Sequence, residues 1–166
     1  MSNAPTPAPA DYLEATRSLY DSLGYTPYRW AERTEPVPLV APARSLSDSR
    51  VLLIGSGGIY RHGQVAFATK DDTSIRTIAS ETAASELRTA HFAYDQTDAR
   101  EDPNCVFPLG RLRELAAEGV IGGMTDHAAA FMGGIYSVRR FEAETVPSLI
   151  SLREQEEPDV VLLVPV

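Results

Sequence analysis

The sequence predicts an α/β domain: a mostly parallel sheet flanked by helices, with its C-terminal elements missing. Three observations predict it. Val51–Ile54 and Val160–Val164 are short, continuous apolar runs, which read as strands buried on both faces. Segments of helical periodicity lie between them, the alternation that goes with parallel pairing. The last run is followed only by Pro165-Val166, so the sequence stops where open α/β sheets place their sites, beyond the carboxyl ends of the strands.

In chain order, residues 1–45 read as an N-terminal arm with one helix and a Pro-rich linker, because seven of the 12 prolines precede Arg44. Met1–Ala10 reads as a polyproline-like lead. Asp11–Leu23 reads as an amphipathic helix stopped by Gly24, with Tyr12, Leu19, Tyr20 and Leu23 at helical spacing. Pro36–Pro42 excludes a helix and runs extended. The main domain, residues 46–166, opens with the Val51–Ile54 strand, which ends in the turn Gly55-Ser-Gly-Gly58. Ile75–Ile78 and Thr89–Tyr94 read as further strands. Pro108–Glu118 reads as a helix with Leu109, Leu112 and Leu115 on one face, Pro108 near its first turn and Gly119 as its stop. Phe141–Glu156 reads as another helix, with Pro147 marking its true first turn. Asp159–Val166 is the last strand.

Composition narrows the function. Hydrophobic residues at 43% and charged residues at 23% are ordinary globular usage. The net charge of −8 argues against binding nucleic acid or an anionic membrane through a basic face. The single cysteine, Cys105, excludes an internal disulfide framework and a Cys-rich zinc site, and fits a cytoplasmic location. No apolar run approaches the roughly 20 residues of a membrane helix, and no signal peptide is recognisable.

Candidate chemistry is concentrated in one stretch. His91, Tyr94, Asp95, Asp98, Arg100, Asp102 and Asn104 crowd a strand end and the loop after it. His91 suits a general acid/base oriented by a carboxylate, and the competing reading is a polar loop of turn and cap residues. No HxH or HxxxH pair supports a metal. Gly55–Gly58 reads mainly as a tight turn, with anion cradling the weaker alternative. Cys105 reads as a buried, inert thiol. Gly122–His127 and Phe131–Gly134 read as a mobile loop over a site or as turns around a short apolar element. Arg139-Arg140 reads as a solvated pair.

Several blocks carry a family resemblance: Gly57-Gly-Ile-Tyr60, Asp72-Thr-Ser-Ile-Arg76, His91-Phe-Ala-Tyr-Asp95, Asp98-Ala-Arg-Glu-Asp-Pro-Asn-Cys-Val-Phe-Pro-Leu109, Arg111-Leu-Arg-Glu-Leu115, Glu118-Gly-Val-Ile-Gly122, Phe131-Met-Gly133 and Asp159–Val166. On these residues, about 50–166, the chain resembles the selenoprotein B family of the glycine, sarcosine, betaine and D-proline reductases, most of all its small proline-reductase branch. The resemblance implies reductive cleavage of a carbon–nitrogen bond in a small amino-acid or amine substrate. A dithiol supplies the electrons, and a partner subunit or a homo-oligomer completes the assembly. It implies no cofactor within this chain, but a selenocysteine directly after Val166 in a full-length form, with a cysteine a few residues on; a chain ending at Val166 would then be inactive. It directs attention to His91, Asp95 and Asp98 as catalytic residues, and to Asn104 and His127, with Thr125 nearby, as substrate-binding ones. Two rival readings stand beside it: a non-catalytic binding or assembly domain of the same fold, and a thiol-independent hydrolase or isomerase using His91 with Asp95.

Overall fold

The computed structural model of the chain describes residues 12–26, 34–37 and 40–166. The chain divides into two compact units, residues 1–37 and 38–166. The first contains helix α1 (Tyr12–Ser22), which stops just before Gly24 at φ 77° as its spacing predicts. Met1–Ala10 and part of the Pro36–Pro42 stretch lie outside the described residues.

The second unit holds strands β1 (Arg50–Gly55), β2 (Ile59–Arg61), β3 (Arg76–Ala79), β4 (Leu87–Thr89), β5 (Gly123–Met124), β6 (His127–Ala130) and β7 (Val160–Val164). Its helices are α2 (Thr97–Glu101), α3 (Leu109–Ala117), α4 (Val138–Arg140) and α5 (Val146–Glu156).

β1 organises the sheet. Val51 pairs with both Met124 and Val160, and Ile54 with both Ala129 and Leu163, all in parallel. β5 and β6 therefore share one edge of β1, and β7 takes the other. β3 adds antiparallel to β6, giving the order β3-β6-β1-β7, mixed but mostly parallel. Strand alternation sends Val51 and Leu53 into one core with Leu109 and Leu112 of α3. It sends Leu52 and Ile54 into a second core with Leu152 of α5. A strand paired on both edges and covered on both faces must be apolar throughout, as Val51–Ile54 is. β2 and β4 form a separate antiparallel pair.

Four expectations are changed or narrowed. β4 ends at Thr89, short of the expected Thr89–Tyr94 strand: Ala90 N–H still bonds across to Gly58 O, but beyond it the chain turns back on itself, with Ala93 N–H bonding to the His91 side chain. The Gly122–Gly134 region takes the second of its two readings, turns around a short apolar element, rather than a mobile loop. It supplies β5 and β6, and Ala128–Ala130 are fully buried in the sheet centre. The Phe141–Glu156 helix begins with a π turn over Phe141–Thr145, while Pro147 does sit, as expected, in the first turn of α5. Proline has no N–H to return to Ala143 C=O, so the regular ladder is interrupted there.

The largest correction concerns β7, expected to be buried on both faces. Among the described residues it pairs with β1 alone and is an edge strand, with Val161 39%, Leu162 36% and Leu163 66% exposed. Its pattern matches an interior strand, but among the described residues nothing covers its outer side.

Candidate functional site

Parallel pairing brings the carboxyl ends of β1, β6 and β7 to one end of the sheet, where Ser56–Gly58, Phe131–Gly134 and Pro165-Val166 meet. Their backbones are laced together. Ser56 N–H donates to Val164 O at 3.0 Å, Gly58 N–H to Phe131 O at 3.0 Å, and Gly133 N–H to Ser56 O at 2.8 Å. Gly57 forms an antiparallel bridge with Met132, and Val166 N–H donates to Ser56 Oγ at 2.9 Å. The turn therefore spends its Ser56 and Gly58 amides on neighbouring segments, which favours the tight-turn reading over the anion cradle. Close packing requires glycine here: a Cβ on Gly55 would lie 2.7 Å from the Phe107 ring. One on Gly58, at φ 67°, would lie 2.2 Å from Ala90 O.

A cleft of about 280 Å³ opens at this end, lined by Ser56, Phe131, Gly133, Ile135, Val138, Phe141 and Val166. It is largely apolar, with the Ser56 hydroxyl as its one polar side chain. Phe141 belongs to the π turn, which a charged clamp holds in place. The Arg140 guanidinium bonds to Glu144 at 2.9 and 3.0 Å, to Asp71 O at 3.0 Å and to Thr73 Oγ1 at 3.1 Å. Thr73 Oγ1 in turn donates to Glu144, and Thr145 Oγ1 donates to Thr73 O at 2.7 Å. Arg140 first and Thr73 second hold the Glu144 carboxyl down at about 2. Arg140 is thus a tie between the Asp71–Thr73 loop and the wall of the cleft, not the solvated residue expected. The readable signal was its i,i+4 spacing to Glu144.

His91 follows β4 against the glycine turn. A Cβ on Gly58 would lie 3.3 Å from His91 Cβ. The residue is buried, and its ring lies 4.8 Å from that of Tyr94 and 5.8 Å from that of Phe92. Burial depresses its basicity below the ordinary histidine value, so it is neutral at pH 7. Nδ1 accepts the Ala93 N–H at 3.0 Å. Tyr94 donates its hydroxyl to Gly57 O at 2.8 Å and thereby ties the loop to the turn.

The remaining candidates scatter. Asp95 is exposed and accepts from Thr97 N–H and Oγ1 at 2.9 and 2.7 Å, bonds that hold its carboxyl below the usual range. It orients the start of α2 and makes no contact with His91. Asp98 is exposed on α2, and among the described residues no hydrogen bond or ion pair engages its carboxylate. Asn104 bridges Asp102 and the start of α3, donating Nδ2–H to Asp102 at 2.7 Å and accepting Gly110 N–H at 2.8 Å. Cys105 is exposed rather than buried. Partial desolvation, then the carboxylates of Asp102 and Asp98, push its thiol upward, the opposite of an activated nucleophile.

His127 and Thr125 stand apart from His91. They precede and begin β6, at the amino ends of the parallel strands and so at the far end of the sheet. His127 Nδ1 is 2.7 Å from Glu156 of α5, and Thr125 Oγ1 is buried, donating to His127 O at 2.8 Å. Both fasten the base of the sheet.

Comparison with known proteins bears on this arrangement. The family model for glycine/sarcosine/betaine reductase selenoprotein B matches residues 25–163, starting within the segment read as an arm. The chain is 32% identical over 129 residues to the D-proline reductase subunit gamma of Acetoanaerobium sticklandii, covering 77% of this chain and 53% of that protein. It is 32% identical over 131 residues to the glycine reductase complex component B subunit gamma of Symbiobacterium thermophilum, covering 76% and 30%. It is 30% identical over 107 residues to the sarcosine reductase complex component B subunit beta of Peptoclostridium acidaminophilum, covering 61% and 24%. The chain thus spans about half or less of the length of each of these relatives. No solved structure matches it.

Proposed function

The chain belongs to the glycine/sarcosine/betaine reductase selenoprotein B family, and from that premise we propose that it forms part of a cytoplasmic reductase subunit that cleaves a carbon–nitrogen bond in a small amino acid or amine. The observation that carries this reading is the extent of the family match, which takes in β1 to β6 and most of β7, every strand that builds the carboxyl end of the sheet. The reaction adds two electrons and two protons across a C–N bond, giving C–H and N–H, while a dithiol becomes a disulfide. A partner subunit shares the work, as the names of the relatives as complex components and subunits favour.

The electron-transferring residue lies outside these 166 residues. Cys105 is the sole cysteine, and its thiol is shifted away from the reactive form. A selenocysteine following Val166 would stand beside Ser56 and the glycine turn, at the mouth of the cleft. The chain's own residues then do three things. The cleft between Ser56 and Phe141 excludes water from one side of the substrate. His91 offers a buried imidazole at the same end of the sheet. Asp98, whose carboxylate makes no hydrogen bond or ion pair among the described residues, is the candidate for moving protons. The exposed outer face of β7 receives a further strand and its covering helices, which complete the cleft.

The exposure of β7 also favours a second reading, in which this domain only assembles with a partner. One comparison separates the two. On the reductase reading the 166-residue chain alone shows no dithiol-dependent amine or ammonia release, and the native complex purified through it cleaves D-proline, glycine, sarcosine or betaine. On the reductase reading the frame beyond the Val166 codon is open and encodes a selenocysteine. A native complex that forms but cleaves none of the four leaves the assembly reading.

A further inference from the structure

His91 Nε2 is buried at the carboxyl end of the sheet and has no hydrogen-bond partner among the described residues. His91 is 6% exposed. Its other ring nitrogen is fully specified: Nδ1 accepts the Ala93 N–H at 3.0 Å, and since an amide N–H can only donate, Nδ1 carries no proton. A neutral imidazole without a proton on Nδ1 carries it on Nε2. His91 therefore holds a buried N–H with nothing to receive it, an arrangement that native structures rarely leave without a role.

The surroundings define what would receive it. Tyr94, whose ring lies nearest, has committed its hydroxyl to Gly57 O and Thr89 Oγ1. Gln96 has committed its amide to His91 O. On α2, the Arg100 side chain makes no hydrogen bond or ion pair among the described residues, and its positive field reaches Tyr94 and Asp95. A fixed N–H donor suits an anionic oxygen and not an ammonium, which brings only donors.

We propose that the Nε2–H of His91 is the anchoring donor for the carboxylate of a small ligand, so that the ligand's carboxylate end, and not its amine end, seats beside the glycine turn. This rests on the placement of the site proposed above. It assigns His91 a binding role in place of the general-base role that its residue type first invites.

The test is imidazole nitrogen–proton correlation NMR on the full 166-residue chain, titrated with acetate and, separately, with methylammonium. The expected result is an Nε2–H tautomer for His91 in the free chain and a saturable response of the His91 and Gly58 signals to acetate only. His91→Gln, which keeps a donor near the same position, retains the Gly58 response. His91→Phe weakens it about tenfold, the effect of one lost charge-assisted hydrogen bond. An Nδ1–H tautomer, a response to methylammonium, or no response to acetate overturns the proposal. The wild-type tautomer is read directly, so a variant that fails to fold does not shield it. Turnover plays no part in the readout, so failure of the reductase reading is separately visible.

Discussion

Ile54 and Leu163 face each other in register on β1 and β7, and alternation puts both on the face that carries α5. They have similar volume and hydrophobicity, yet Ile54 is 6% exposed and Leu163 66%. This contrast makes the edge position of β7 measurable. Truncating a fully buried aliphatic side chain to alanine costs about 2–5 kcal/mol, the lost transfer energy plus the cavity left behind. Leu163 is only one-third buried, and full burial of such a side chain is worth about 1.5–3 kcal/mol, so Leu163→Ala puts about 0.5–1 kcal/mol at stake, with no enclosed cavity. Urea unfolding followed by far-ultraviolet circular dichroism resolves the difference. Ile54→Ala should lower the midpoint strongly, and Leu163→Ala should move it several-fold less with the slope unchanged. Equal losses for the two variants would mean that β7 is covered in solution, and would refute its placement as an open edge.

Three further outcomes follow from the same geometry. Gly58→Ala should cost about 3 kcal/mol or more by thermal melting, because positive φ and a Cβ 2.2 Å from Ala90 O act together. Gly63→Ala, at φ 92° with open space around it, should cost only about 1–2 kcal/mol; equal losses would show that the approach of the glycine turn to β4 is not tight. Burial lowers the His91 pKa in the folded chain, so the unfolded state binds a proton first as pH falls. The contribution is whole above the ordinary value of 6.5 and is lost as pH drops from there through the folded value. Midpoint-against-pH curves should therefore fall on acidification below 6.5 and be flatter in His91→Phe, and identical curves would contradict the buried, neutral ring. Iodoacetamide should modify Cys105 more slowly at pH 7 than a free cysteine despite its exposure, since its thiol is shifted upward, and faster modification would contradict that shift.

Much of the fold was legible because particular residues leave little choice. Val51–Ile54 ending in glycines reads as a central strand, and Leu109, Leu112 and Leu115 between Pro108 and Gly119 read as a helix. Ala128–Ala130 were harder. Alanine carries little strand preference, and these residues form a strand because the sheet centre admits only small side chains there, a fact of packing rather than of local sequence. Val160–Val164 reveals an interior strand correctly in chemistry but not in surroundings, because apolar pattern reports what a strand suits and not what covers it.

The site was legible in part for a related reason. His91, Asp95, Asp98 and Asn104 are neighbours in sequence, but only His91 turns inward, and the local bonds of Asp95 and Asn104 became visible once their partners Thr97 and Gly110 were placed. His127 resembled a site residue by type alone. Strand direction puts it at the far end of the sheet, and no spacing along the chain encodes that. Of the Arg140 clamp, only the i,i+4 pair with Glu144 is a local pattern; its ties to Asp71 and Thr73 join segments about 70 residues apart, which no local pattern encodes.

The most direct test of the account is dithiol-dependent reductive C–N cleavage by the native complex carrying either His91→Phe or His127→Ala. With the site at the carboxyl ends of β1, β6 and β7, turnover falls about tenfold or more in the first variant, the cost of a lost charge-assisted contact, and stays near wild type in the second. Unchanged turnover in His91→Phe together with loss in His127→Ala would place the chemistry at the opposite end of the sheet and contradict the account.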